Sequence, residues 1–137
     1  MRFTSMFRYG LRALAVLVDN YGKGPISAKE ISKHEEISPS FLEQLLAQLR
    51  RSGIVDGIRG PGGGFKLTKA PSKILICDVV EALEGPVCAS KCLMPEDDPS
   101  NEQCEKLESC SIVPLLKKLE NDIIDVFCSY SLADLKS

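Results

Sequence analysis

Long apolar runs are missing from this 137-residue chain. The longest stretch near the N-terminus, residues 13–18, falls far short of the roughly 20 residues that a membrane span needs, and Arg8, Arg12 and Asp19 flank it. No segment reads as a secretion signal, so a soluble, cytoplasmic protein without a membrane partner is expected. Histidine is nearly absent: His34 is the only one, it lies far from every cysteine in sequence, and it reads as a surface residue. No nucleophile elbow occurs, and the acidic residues of the second half form no recognisable pair, so no enzyme chemistry is expected. A nucleotide-cradling loop is missing too. The glycine-rich stretch beginning at Gly60 has Phe65 where the phosphate-loop spacing requires a second glycine before Lys-Ser/Thr.

What is present fits one compact domain with an appendage, since 44% of residues are hydrophobic and 26% are charged. The net charge of −2 hides a division. Residues 1–69 hold 11 Lys/Arg against 6 Asp/Glu, a net of +5, whereas residues 70–137 hold 6 against 13, a net of −7. Only the first half suits a polyanion. Of six cysteines, Cys88, Cys92, Cys104 and Cys110 fall in one 23-residue window. Clustered thiols without a secretion signal point to metal binding or redox sensing. Cys77 and Cys128, set among apolar neighbours, read as buried core thiols.

Taken in order, Met6, Leu11, Leu14, Leu17 and Val18 recur at helical steps over residues 4–21, and Gly22 and Gly24-Pro25 end the pattern. Ser27-Ala28-Lys29-Glu30 is a capping box that opens a short helix running to about His34. Glu35-Glu36-Ile37 connects it to Ser38-Pro39, an N-cap with proline at the first helical position. Phe41, Leu42, Leu45, Leu46 and Leu49 then form a core stripe, and Gly53 ends the helix in the left-handed conformation. Two helices joined by about three residues make a helix-turn-helix. Ser38, Ser40, Phe41, Glu43 and Gln44 at the start of the second of these helices are the candidate base-reading residues; Gln48 shares the face of Ser40, Glu43 and Gln44, and Arg50 and Arg51 behind are the phosphate clamps.

Two apolar runs, 54–58 and 65–67, flank Arg59-Gly60-Pro61-Gly62-Gly63-Gly64, a hairpin tip free to lie against another surface. Arg59 and Gly60 are the wing's candidate DNA contacts, reaching the minor groove beside the major-groove helix. The opening Met1-Arg2-Phe3-Thr4-Ser5, the 37–45 helix start, the 59–65 wing and the closing Ser131-Leu132-Ala133-Asp134-Leu135 resemble the IscR, NsrR and CymR family of bacterial winged-helix transcriptional regulators. The likeness spans nearly the whole chain.

Beyond the wing, residues 77–84 read as a short helix closed by Gly85-Pro86, residues 87–111 as a loop long enough to require a function or a staple, and residues 112–127 as a long helix. Leu115, Leu116, Leu119, Ile123, Val126 and Phe127 give that helix a broad apolar face, expected to meet the same helix of a second subunit. The resemblance implies an iron-sulfur cluster on Cys92, Cys104 and Cys110. Val113 stands where IscR has a histidine ligand, and Arg8 where NsrR-type proteins supply a carboxylate; Cys88 is the candidate fourth ligand.

The expectation is a mainly α fold with a small β wing. Residues 1–69 form a winged helix-turn-helix DNA-binding domain, and residues 70–137 carry the cysteine-rich sensor loop and a C-terminal dimerisation helix. The function implied is a homodimeric repressor on palindromic double-stranded DNA, controlled by one iron-sulfur cluster per subunit, 2Fe-2S ahead of 4Fe-4S, with zinc as the lesser alternative. The competing reading is a cluster-free regulator that acts through cysteine redox state or through a regulatory partner protein, as CymR-like members do.

Overall fold

The computed structural model describes residues 2–135. Helix α1 (Ser5–Asp19) is followed by α2 (Ala28–Glu35) and α3 (Pro39–Arg51), then by an antiparallel hairpin of β1 (Val55–Ile58) and β2 (Gly64–Leu67). Helices α4 (Ile76–Glu84) and α5 (Val113–Cys128) complete the chain, with single-turn 3-10 segments at Pro71–Lys73, Lys91–Leu93 and Leu132–Asp134. This is a mainly α fold with a two-stranded wing. No described helix is long and apolar enough to cross a membrane.

The local signals work as their chemistry dictates. Thr4, Ser27 and Ser38 each cap a helix by accepting from the amide three residues on. Glu36, at φ 54°, is the one described non-glycine residue with positive φ. It closes α2 in the left-handed conformation and so makes the helix-turn-helix connection short. Arg12 on α1 locks that connection from outside: its Nη2 donates to the Glu35 carbonyl at 2.6 Å while its guanidinium lies 5.1 Å from the Tyr9 ring centroid.

The face that α1 buries is rotated from the expected stripe. Phe7, Gly10, Ala13, Leu14 and Leu17 are buried, whereas Met6, Leu11 and Val18 lie half-buried at its margin. The rotation follows from Gly10, because a Cβ there would run into the Leu83 side chain. Glycine lets α1 and α4 approach closely, and the pairing sets which way α1 faces. Thr4 also donates to the Glu84 carboxylate, joining the start of α1 to the end of α4. One apolar core therefore runs through both halves of the chain. It includes Leu42, Leu45 and Leu49 of α3, Val79, Val80 and Leu83 of α4, and Leu132 of the tail.

That tail turns back after α5. The Leu132 amide donates to Ile74 and the Ile76 amide to Tyr130, each at 2.9 Å, so residues 74–76 and 130–132 run beside each other. The same return corrects the reading of two cysteines. Cys77 and Cys128 are half-buried, and they are joined by a disulfide rather than being separate core thiols; their Cα atoms lie 4.8 Å apart. Their apolar neighbours in sequence suggested burial, but only the returning tail brings the two sulfurs together.

Candidate nucleic-acid interface and cysteine-rich loop

On α3 the four leucines and the polar residues separate cleanly: Leu42, Leu45, Leu46 and Leu49 are buried, while Ser40, Glu43, Gln44, Arg50 and Arg51 are exposed. Ser38 is exposed as well, with its hydroxyl oxygen engaged as the cap for the Phe41 amide at 3.3 Å. Phe41 is half-buried and meets Tyr9 edge-on, ring centroids 5.8 Å apart, so its ring positions α3 on α1. Gln48 is half-buried at the edge of the face. Arg50 reaches across to the wing, where a Cβ on Gly57 would lie 3.5 Å from its Nη1 and 3.6 Å from the Phe65 ring.

Between α3 and the wing lies a depression of about 610 Å³, lined by Ala28, Glu43, Leu46, Ala47, Arg50 and Phe65. Its floor is apolar and its rim is charged. Such a surface can meet thymine methyl groups as well as polar base edges. The sequence reading passed over Ala28, Ala47 and Phe65. The signal was there for Ala47, which follows Glu43 and Gln44 at helical spacing on the same face.

Arg59 and Gly60 are exposed at the near end of the wing tip, Gly60 at φ +93°. The glycines beyond are not mere slack. At Gly63 a Cβ would meet the Ile58 carbonyl, and at Gly64 it would meet the Ile26 carbonyl. Backbone packs there against backbone, and Phe65 exchanges two amide hydrogen bonds with Ile26 just before α2. The wing is thereby stitched to the entrance of the helix-turn-helix.

The four remaining cysteines are free and occupy the segment between α4 and α5. Cys88 donates to the Ser90 carbonyl at 2.9 Å, and the Ser90 hydroxyl lies 3.2 Å from the Cys92 sulfur. Burial, reinforced by the nearby Glu120 carboxylate and Cys92, pushes the Cys88 thiol above its ordinary range. Glu120 of α5 also accepts from the Ala89 amide at 2.7 Å, which ties the start of the loop to the long helix. Cys92 and Cys104 line one surface depression, Cys104 being exposed, whereas Cys110 sits half-buried just before α5. His34 is exposed beside Glu35, away from all of them.

Thiolate donors suit iron and zinc. Their placement is a different matter, for among the described residues no three His, Cys, Asp or Glu side chains converge closely enough to hold a metal ion. This arrangement brings Cys88 close to Cys92 through Ser90, and Cys92 shares a depression with Cys104. The donor chemistry fits; the geometry is not assembled.

Residues 3–137 match the Rrf2 family, described as iron-dependent transcriptional regulators. This chain belongs to the Rrf2 family. Among curated proteins it is 35% identical over 135 residues to the HTH-type transcriptional regulator IscR of Photorhabdus laumondii, covering 98% of this chain and 79% of that protein. Among solved structures it is similar to CymR, the global cysteine regulator of B. subtilis, with a TM-score of 0.72, 30% identity, and coverage of 98% of this chain and 95% of that one. T. potens IscR matches with a TM-score of 0.69 and 28% identity, over 98% and 85% of the two chains. As an Rrf2 protein the chain is a DNA-binding transcriptional regulator, not an enzyme. The resemblance drawn from the wing, the α3 start and the tail is therefore correct, and so is the winged-helix fold.

Proposed function

We propose that this Rrf2 regulator is a homodimeric repressor of the bacterial cytoplasm that binds a palindromic operator, under the control of an iron-sulfur cluster held by the loop between α4 and α5. Residues 1–69 supply the DNA face: Ser40, Glu43, Gln44 and the wing residue Arg59 read the site, while Arg51 neutralises phosphate, and the net charge of +5 on that half supports the docking. Residues 70–137 supply the loop and the dimer contact.

The observation that carries the reading is the double face of α5. Leu116, Ile123 and Phe127 turn toward their own subunit and are half-buried, with the Phe127 ring 6.0 Å from that of Phe3. Ile112, Leu115, Leu119 and Val126 point outward with 43–60% of their surface exposed. These four recur at intervals of three, four and seven residues, a seam of the kind that pairs helices. A second copy of α5 covers that seam and places two α3 helices about 34 Å apart. The loop joins α4, packed on the DNA-binding body, to this dimer helix, so its order bears on how the two α3 helices are spaced.

Cys92, Cys104 and Cys110 are the proposed ligands, with Cys88 as the fourth, and a 2Fe-2S cluster per subunit is preferred to 4Fe-4S or zinc. A bound cluster would make the loop responsive to oxidants and to iron supply. Because no three of these thiols converge, loading requires the loop to draw them together. The same spread favours a second reading, in which free thiols or a partner protein carry the signal without a metal. Anaerobic purification followed by an absorption spectrum and iron and sulfide counts decides between them: stoichiometric iron and sulfide support the cluster, and iron-free protein that still binds its operator leaves the second reading.

A further inference from the structure

We propose that Cys77 and Cys128 form a second redox site, a reversible dithiol/disulfide pair separate from the four loop thiols, which sets how firmly α5 is held to the DNA-binding body. The proposal rests on the DNA-binding reading in one respect. A protein that works on DNA meets a compartment where thiols are kept reduced, and disulfides found there are mostly transient and sensing rather than permanent staples.

Three features of the fold support it. The backbone presents the pair ready to react: residues 74–76 and 130–132 run side by side, bridged at Leu75 and Ser131, and hold the two Cα atoms 4.8 Å apart, within disulfide range. The closed bond therefore fits the backbone as these flanking segments hold it. Next, the bond joins the first turn of α4 to the last residue of α5, across 51 positions, and the ring so closed contains Cys88, Cys92, Cys104 and Cys110. Both ends of the loop are consequently constrained when the pair is oxidised. Finally, α5 is otherwise weakly held. Val113 in its first turn is its only buried residue, so near the other end the disulfide supplements half-buried contacts such as Phe127.

A peroxide supplies a balanced oxidation. One thiolate of the pair attacks the O–O bond, forming S–O and releasing hydroxide, which takes a proton to become water. The second thiolate attacks that sulfur, forming S–S and breaking S–O to expel hydroxide, which takes a proton to become the second water, so two electrons pass from the sulfurs to the peroxide. A small dithiol returns them by exchange, leaving both cysteines as thiols and itself as the disulfide.

The test uses the full-length protein, without bound metal, equilibrated with dithiothreitol or with hydrogen peroxide. Differential alkylation with mass analysis reads which sulfurs are joined, hydrogen exchange reads the α5 amides, and operator titration reads affinity; Cys128→Ser, with Cys77→Ala as a second variant, is run in parallel. The expected result is a 77–128 bond formed by peroxide and opened by dithiothreitol, slower exchange in the last turns of α5 when it is closed, and a severalfold change in operator affinity that both variants lose. A pair that stays reduced in peroxide, stays oxidised in excess dithiothreitol, or joins a loop cysteine instead overturns the proposal. So does an unchanged α5 exchange rate, or an unchanged affinity in protein that binds its operator. Absence of operator binding in every redox state would count against the DNA-binding reading instead, while alkylation and exchange still judge the switch.

Discussion

The Phe65 amide donates to the Ile26 carbonyl at 2.7 Å, and the Ile26 amide returns a bond to the Phe65 carbonyl at 3.0 Å. Wing and helix-turn-helix are thus joined backbone to backbone. This contact explains why Gly64 precedes Phe65: at φ +151° its missing side chain is what lets the Ile26 carbonyl come close.

Gly64→Ala is accordingly expected to destabilise the fold by about 2–3 kcal/mol and to weaken operator binding, since the new methyl group must push the two backbones apart. Gly62→Ala, at φ +74° with nothing near its Cβ position, should lose only about 1 kcal/mol. Urea unfolding of the two variants compares them, and equal losses would show that the tip conformation matters rather than the stitch.

At the DNA face, Gln44→Ala should reduce preference for the operator over random DNA by about 1–3 kcal/mol. Arg51→Ala should weaken binding to both and lower the salt slope by about one counterion. Arg51 is the cleaner phosphate probe because Arg50 also packs beside Gly57 of the wing, so its removal disturbs the hairpin too. Titrations at several salt concentrations separate the effects, and uniform loss for Gln44→Ala would remove it from the base-reading set.

The two sides of α5 give opposite expectations. Leu119 is 43% exposed, so Leu119→Asp should leave the subunit folded and yield monomers in sedimentation, because the charge would be buried only in a dimer. Ile123 lines a small cavity with Phe3, Val80 and Phe127, and Ile123→Asp should lower the stability of the subunit itself, by about 1–3 kcal/mol. A Leu119→Asp protein that remains a stable dimer would place the interface elsewhere.

For the loop, Cys92→Ala, Cys104→Ala and Cys110→Ala should each abolish iron loading, Cys88→Ala should reduce it, and Cys77→Ala and Cys128→Ala should leave it. Iron and sulfide counts on anaerobically reconstituted protein provide the check. Chelation of wild-type protein should reproduce the operator affinity of the Cys92 variant; a different affinity would mean that Cys92 acts on DNA binding by some other route.

Reduction of the Cys77–Cys128 bond should lower stability by about 4 kcal/mol on the loop-closure estimate for a ring of this length. Denaturant midpoints measured with and without dithiothreitol test it. Identical midpoints would mean that the ring constrains the unfolded chain far less than a flexible loop of that length would.

The sequence alone determined the helix-turn-helix, the wing and the division of α3 into a leucine side and a polar side. Each of these rests on local rules: a serine accepting from an amide three residues on, proline at a first helical position, apolar residues repeating at helical spacing. The resemblance carried in the wing and the α3 start placed the family. Tertiary structure alone decided three things. It rotated α1 about Gly10 to suit Leu83, it divided the apolar residues of α5 between the subunit's own core and the outward seam, and it joined Cys77 to Cys128. In each case the deciding partner lies far along the chain, and periodicity reports which residues share a face without saying what that face will meet. The cysteine-rich loop lies between these cases. Its composition suggested soft-ligand chemistry, but four thiols on an irregular segment have no helical or strand register to fix their spacing, so their distances are set by contacts such as Ala89 with Glu120 and by where α4 and α5 pack.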